Sequence, residues 1–240
     1  MDPHAEPRSN VTRVVLTVLG ILALLAAVCC GGTWLVGQRL KQTIAPAHEG
    51  SGTLAEQRRL VEGFTGVRLE AAADVEVEVG GAFSVTLRAD DNLMPHIETA
   101  VDDGALVVRA RERFESETGV VVLVTLPSLE RVENAGVGAI RVKGVDSPRL
   151  VVRVAGVGDV AAAGRVGELT VDVSGVGDAL LLDLVAERVT ARVEGVGDAS
   201  VHATRSLHAT VAGVGDVRYR GDPAELVQQK SGVGDVVPVR

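Results

Sequence analysis

Large rings are almost missing from this chain. Of 240 residues, three are Phe, one is Tyr and one is Trp. They are Phe64, Phe83, Phe114, Tyr219 and Trp34. Nucleic-acid binders draw on stacking rings and a basic stripe. Here 24 Lys and Arg stand against 32 Asp and Glu, a net charge of −8, so no nucleic-acid partner is expected. The same scarcity counts against sugar-stacking platforms. Cysteine is confined to the neighbours Cys29 and Cys30, which give neither a disulfide framework nor a metal site. There is no G-x-S-x-G, no H-E-x-x-H and no P-loop, so the local signatures of hydrolase, zinc-protease and nucleotide chemistry are lacking. Five histidines are scattered as His4, His48, His96, His202 and His208, and the sequence pairs none with a nucleophile. No enzyme and no cofactor are expected. Disorder is excluded, since 46% of residues are apolar and mean hydropathy is +0.26.

One long apolar run is present. Residues 14–38 carry no charge, and their 25 positions exceed the ~20 that span a hydrocarbon core. Arg13 precedes the run, Arg39 and Lys41 follow it, and Trp34 lies near one end, where an indole suits the interface. A transmembrane helix is expected there, with the lipid bilayer as its partner. A cleaved signal peptide has a shorter apolar stretch, and Val28 is a poor residue before a lipid-bearing Cys29. The flanking positive charges are nearly balanced. A short head, 1–13, and a long tail point to a signal-anchor with the N-terminus inside. That makes a single-pass inner-membrane protein with an extracytoplasmic C-terminal domain. Residues 39–62 read as a juxtamembrane linker, with AEQRRLVEG at 55–63 as a short helix.

From residue 63 the pattern changes to period 2. Val75, Val77 and Val79 alternate with Glu76 and Glu78, as in a half-buried strand. Glycine is abundant, 28 residues, and a repeat accounts for much of it. Gly-Val-Gly occurs six times, beginning at Gly136, Gly156, Gly175, Gly195, Gly213 and Gly232 and closing at Gly138, Gly158, Gly177, Gly197, Gly215 and Gly234. The intervals are 20, 19, 20, 18 and 19 residues. Apolar residues stand two, four and six before the first glycine and four and six after it. Each repeat is therefore a strand, a glycine corner, a second strand and a turn.

A two-strand unit of ~19 residues cannot bury its own apolar face, whereas stacked copies can. The expected fold is all-β: a parallel β-solenoid, read as a right-handed β-helix, with six turns over 129–240. Residues 64–128 read as a less regular continuation of the same stack. An antiparallel sandwich with hairpins at each Gly-Val-Gly is the alternative, disfavoured because near-identical corners at near-constant spacing are what stacking demands. The Val between the glycines is expected to point into the core. Gln228, Lys230 and Pro238 stand where other repeats carry apolar residues, and read as a cap. Although Gly156–Ala161 spells G-x-G-x-x-A, six recurrences followed by strand patterns rule out a dinucleotide fingerprint.

Five corners continue into Asp159, Asp178, Asp198, Asp216 and Asp235; the first continues into Ala139. Stacked ~4.8 Å apart, such carboxylates repel by about 1 kcal/mol per neighbouring pair even in water. Two offsets are open. Each Asp accepts hydrogen bonds from backbone N–H groups of its corner, or the ladder holds Ca²⁺ between turns.

Phe64-Thr65-Gly66-Val67, the run VVLVTLPSLERVENAGVGAIRVKG and the copies of V-x-V-x-G-V-G-D together resemble the bacterial family labelled putative auto-transporter adhesin, head GIN domain, over 63–240. The resemblance implies a β-solenoid and brings no catalytic residues. An autotransporter carries a C-terminal membrane barrel, which is not expected in a chain whose last residues complete a repeat. The functional expectation is binding, adhesion or scaffolding at the envelope, with a protein or glycan partner on one long face. A self-assembling rod and a glycan-active solenoid enzyme are the alternatives.

Overall fold

The computed structural model describes residues 48–239. The expected tail 1–13, the transmembrane helix 14–38 and the first part of the linker lie outside the described residues. Among those described, no helix is long and apolar enough to cross a membrane. The chain divides into two units, Met1–Pro46 and Ala47–Arg240.

The repeats stack in parallel. Ile140–Val154, Val160–Val173, Ala179–Val193 and Ala199–Val211 are long strands, each pairing with the next one turn on. Each runs along one face, bends, and returns along the other. Their inward residues form columns, such as Leu150, Leu169, Val189 and Leu207, each at most 2% exposed. Parallel sheets need their interior side dry, and small branched side chains supply that in a narrow bore.

The glycine corners hold a strict register. Val137, Val157, Val176, Val196, Val214 and Val233 bridge one another in sequence. Six corners delimit five complete turns, one fewer than expected. The opposite corner absorbs the variation in repeat length. Between Ala179–Val193 and Ala199–Val211 the pairing offset runs from 201 − 181 = 20 to 202 − 185 = 17 and then 206 − 188 = 18. The spacing irregularities in the sequence are thus bulges confined to one edge.

The corner valines do not point into the core. All six are half-exposed or more. The flanking glycines lay their backbone against the turn below, which leaves the intervening side chain on the outside of the bend.

Residues before 130 depart from simple continuation. Gly66–Leu69 and Asp74–Val79 do extend the stack, pairing in parallel with Arg131–Asn134 and Ile140–Val154. Ala105–Ala110 and Val121–Leu126 add one further parallel layer. Antiparallel strands then close this end: Ile97–Asp102 on Ala105–Ala110, and Ser84–Asp90 on Val121–Leu126. Leu54–Arg59 pairs antiparallel with Ser84–Asp90. The stretch read as a linker helix is therefore an edge strand of the domain. Phe64, fully buried, packs on Phe83 with ring centroids 5.0 Å apart. Two of the five rings thus sit where the regular bore ends.

A seventh corner precedes the six. Ala71-Ala72-Ala73-Asp74 underlies Gly136-Val137-Gly138-Ala139, with Ala72 bridging Val137. It lacks glycine for a directional reason. A Cβ at Gly136 would lie 2.2 Å from the Ala71 carbonyl oxygen, and one at Gly156 would lie 2.1 Å from that of Gly136. Each glycine is demanded by the corner on its N-terminal side. Ala72 has no corner bridge on that side among the described residues, so alanine fits.

At the last described turn, Glu225–Lys230 pairs with Ala199–Val211, placing Gln228 opposite Ala209 and Lys230 opposite Val211. Pro238 stands opposite Tyr219. The side chains of Glu225–Lys230 are exposed.

Candidate functional site

The aspartates form a continuous hydrogen-bonded ladder. Asp178 N–H donates to Asp159 Oδ1 at 2.9 Å, Asp198 N–H to Asp178 at 2.8 Å, Asp216 N–H to Asp198 at 2.7 Å and Asp235 N–H to Asp216 at 2.9 Å. Each carboxylate therefore accepts from the next turn, not from its own corner. Asp74 makes the same contact two corners before Asp159, accepting from Ala139 N–H at 2.8 Å, but Ala139 carries no carboxylate, so the continuous ladder starts at Asp159. Arg218 sits on the outer oxygens, reaching Asp198 Oδ2 at 2.5 Å and Asp216 Oδ2 at 3.2 Å, and Lys230 pairs with Oδ1 of Asp235, the last carboxylate. These contacts offset the repulsion between stacked carboxylates. Asp198→Ala leaves the Asp216 N–H without its acceptor and is expected to cost about 1–2 kcal/mol, read as a fall in the urea midpoint. Asp198→Asn keeps an acceptor and should recover most of it; an unchanged midpoint in the alanine variant would show that the ladder bears no load.

One ladder position is polar inside the bore. Asn134 occupies the column of Leu69, Val154, Val173 and Val193 and is fully buried. Its Nδ2 donates to the Gly138 carbonyl at 2.7 Å, while its Oδ1 has no partner.

On the outward side of one face, where the repeats meet the irregular end, four strands frame a groove of about 510 Å³. Register alignment builds it. Glu76 and Glu78 lie opposite Arg141 and Lys143 on one side, and opposite Leu123 and Thr125 on the other. Ser84 and Thr86 form the next row. Period-2 alternation sends all of these outward while Val75, Val77, Val85 and Val124 go to the core. The groove offers paired carboxylates, two cations and three hydroxyls on a stiff sheet. Such a surface presents both hydrogen-bonding and ion-pairing groups.

A third cluster lies beside the incoming strand. His48, His96 and Glu112 come together from three separate segments, with donor atoms all within 4.8 Å of one another. Their spacings of 48 and 16 residues follow no motif, so sequence could not group them. His202 and His208 stand on the same strand in the regular repeats.

The model of one protein family matches residues 63–223. This chain belongs to the family described as putative auto-transporter adhesin, head GIN domain. The head GIN match takes in the groove, Asp74 and the ladder from Asp159 to Asp216, and leaves His48 outside. No curated protein sequence matches the chain. Among solved structures, a putative adhesin from Bacteroides fragilis is 23% identical, with a TM-score of 0.65 over 80% of this chain and 99% of the other. A putative lipid binding protein from Parabacteroides distasonis is 20% identical, with a TM-score of 0.54 over 81% and 100%. A putative adhesin from Parabacteroides merdae is 19% identical, with a TM-score of 0.50 over 82% and 100%. At these identities the head GIN domain shares their fold.

Proposed function

We propose that this protein is a membrane-tethered binding module of the bacterial envelope. Residues 14–38 hold it in the inner membrane as a single span, and the solenoid stands on the outer side and grips a protein or glycan along its long face. The observation that carries this reading is the groove of Glu76, Glu78, Ser84, Thr86, Arg141 and Lys143. It is polar, open and mounted on paired strands, so a partner meets prealigned groups at little entropic cost. Family membership and the adhesin descriptions of structural relatives support the same reading.

The test is attachment by cells expressing the full chain to surfaces coated with envelope protein or with glycan. Cells carrying the charge reversals Glu76→Lys, Glu78→Lys, Arg141→Glu and Lys143→Glu together should lose the attachment that wild-type cells show. Equal attachment by both would remove the groove from the account. Protease added outside the inner membrane should cleave the domain in osmotically opened cells.

A further inference from the structure

The cluster at the start of the domain has the composition of a metal site. His48 belongs to the two-residue strand His48–Glu49, which pairs in parallel with Phe114–Glu115 outside the main sheet. His96 ends the short helical turn Met94–His96. Glu112 lies between Ala105–Ala110 and Phe114–Glu115. Both imidazoles converge on one oxygen. His48 Nε2 contacts Glu112 Oε2, and His96 Nδ1 lies 3.8 Å from the same atom. The two rings stack, with centroids 4.1 Å apart and planes 26° apart.

Two imidazolium rings this close would repel by about 1 kcal/mol even at the dielectric of water. Two neutral imidazoles and a carboxylate around one divalent cation avoid that cost, and the cation pairs with the charge of Glu112. Tetrahedral zinc at ~2.0–2.2 Å from nitrogen and oxygen ligands holds its donors roughly 3.3–3.5 Å apart. The three donors here, all within 4.8 Å, need only small side-chain rotations to reach that spacing. The side chains are 44%, 26% and 58% exposed for His48, His96 and Glu112, so the rotations meet solvent, and a fourth position stays open to water.

We propose that His48, His96 and Glu112 bind one divalent transition-metal ion of the zinc class, which staples the incoming strand to the solenoid. Few other contacts hold that strand. His48 N–H donates to the Arg113 carbonyl and Gly50 N–H to the Glu115 carbonyl, at 2.9 and 2.8 Å. Asn92 Nδ2 donates to the Glu49 carbonyl at 2.7 Å. A metal bond from His48 to Glu112 closes a loop across 64 residues, which makes opening of this end costly. The staple acts where the chain passes from residues 1–47 into the domain. It fixes the first strand of the domain, independently of what the groove binds.

The experiment uses the full chain in detergent, stripped with a chelator and titrated calorimetrically with Zn²⁺ alone. One ion per chain is expected, with a dissociation constant in the micromolar range or tighter. His48→Ala and Glu112→Gln should each weaken it by about 10-fold or more, in line with loss of one ligand of three. Co²⁺ should give the visible absorption of a four-coordinate site. Zinc should also slow proteolysis between residues 47 and 53 in the wild type and not in either variant. A wild-type chain that takes up no zinc overturns the proposal. So does undiminished affinity in the combined His48→Ala, His96→Ala, Glu112→Gln variant, since His4 or the aspartate ladder would then hold the ion. All three side chains are partly exposed, and an unchanged far-UV circular dichroism spectrum verifies that the variants fold.

Discussion

Gly197→Ala is expected to destabilise the solenoid by about 3 kcal/mol or more, a fall in Tm of roughly 6–12 °C for a domain of this size. Gly197 has φ of +146°, in the region that L side chains avoid, and a Cβ there would lie 2.1 Å from the Gly177 carbonyl oxygen and 2.8 Å from its carbon. The obstacle is backbone, not the end of a movable side chain. Relief requires the turns to separate, which breaks the pairings of Val196 N–H to Gly175 O at 2.9 Å and Gly177 N–H to Val196 O at 3.0 Å. The adjacent Val196 makes the contrast. It is 52% exposed, so Val196→Ala should cost under about 1 kcal/mol. A thermal melt of both variants separates the cases. A Tm for Gly197→Ala within about 2 °C of wild type would mean that the stack relaxes freely at its corners.

Removal of one whole turn should be tolerated, whereas removal of half a turn should abolish folding. Deleting residues 157–175 joins Gly156 to Val176, the stacking equivalent of Val157. The turns brought together are already in matching register. The offset between Ile140–Val154 and Ala179–Val193 is 179 − 140 = 39 at one end, 184 − 145 = 39 at the bend and 193 − 154 = 39 at the other end. The two intervening bulges cancel. The shortened protein should keep its strand spectrum and melt cooperatively at a lower temperature, since one of its nearest-neighbour interfaces is gone. Deleting 160–169 instead joins Asp159 to Thr170 and sends Thr170 and Asp172 to inward positions. That variant should be insoluble or without a melting transition. If both deletions fold equally well, stacking register does not govern the fold.

The parallel stack was legible because two periods coincide in the regular part. Alternation marks the inward columns, and the recurrence of Gly-Val-Gly marks where each turn closes. The corner Ala71–Asp74 escaped because its glycines are absent, and they are absent because no corner below requires them. The orientation of Val157 and its equivalents was misread, since alternation extrapolated through a glycine corner does not follow the bend. Leu54–Arg59 was hidden by its composition: LAEQRR lies at an edge with mostly exposed side chains, so burial imprinted little pattern on it. Of the groove, only the alternation of Glu76 and Glu78 was visible. Its other walls come from Ser84 and Thr86 on the next strand and from strands 45 or more residues away. The grouping of His48, His96 and Glu112 depends wholly on the antiparallel end of the domain, whose pairings leave no repeat in the sequence.

The one-sided demand for glycine bears on assembly. Every added Cβ along the corner would meet a carbonyl oxygen of the preceding turn at about 2 Å. A turn inserted anywhere among the six corners must therefore bring its own Gly-x-Gly, whereas the methyl groups of Ala71 and Ala73 fit only where the glycine corners begin. The polarity that lets turns accumulate thus also marks which corner comes first.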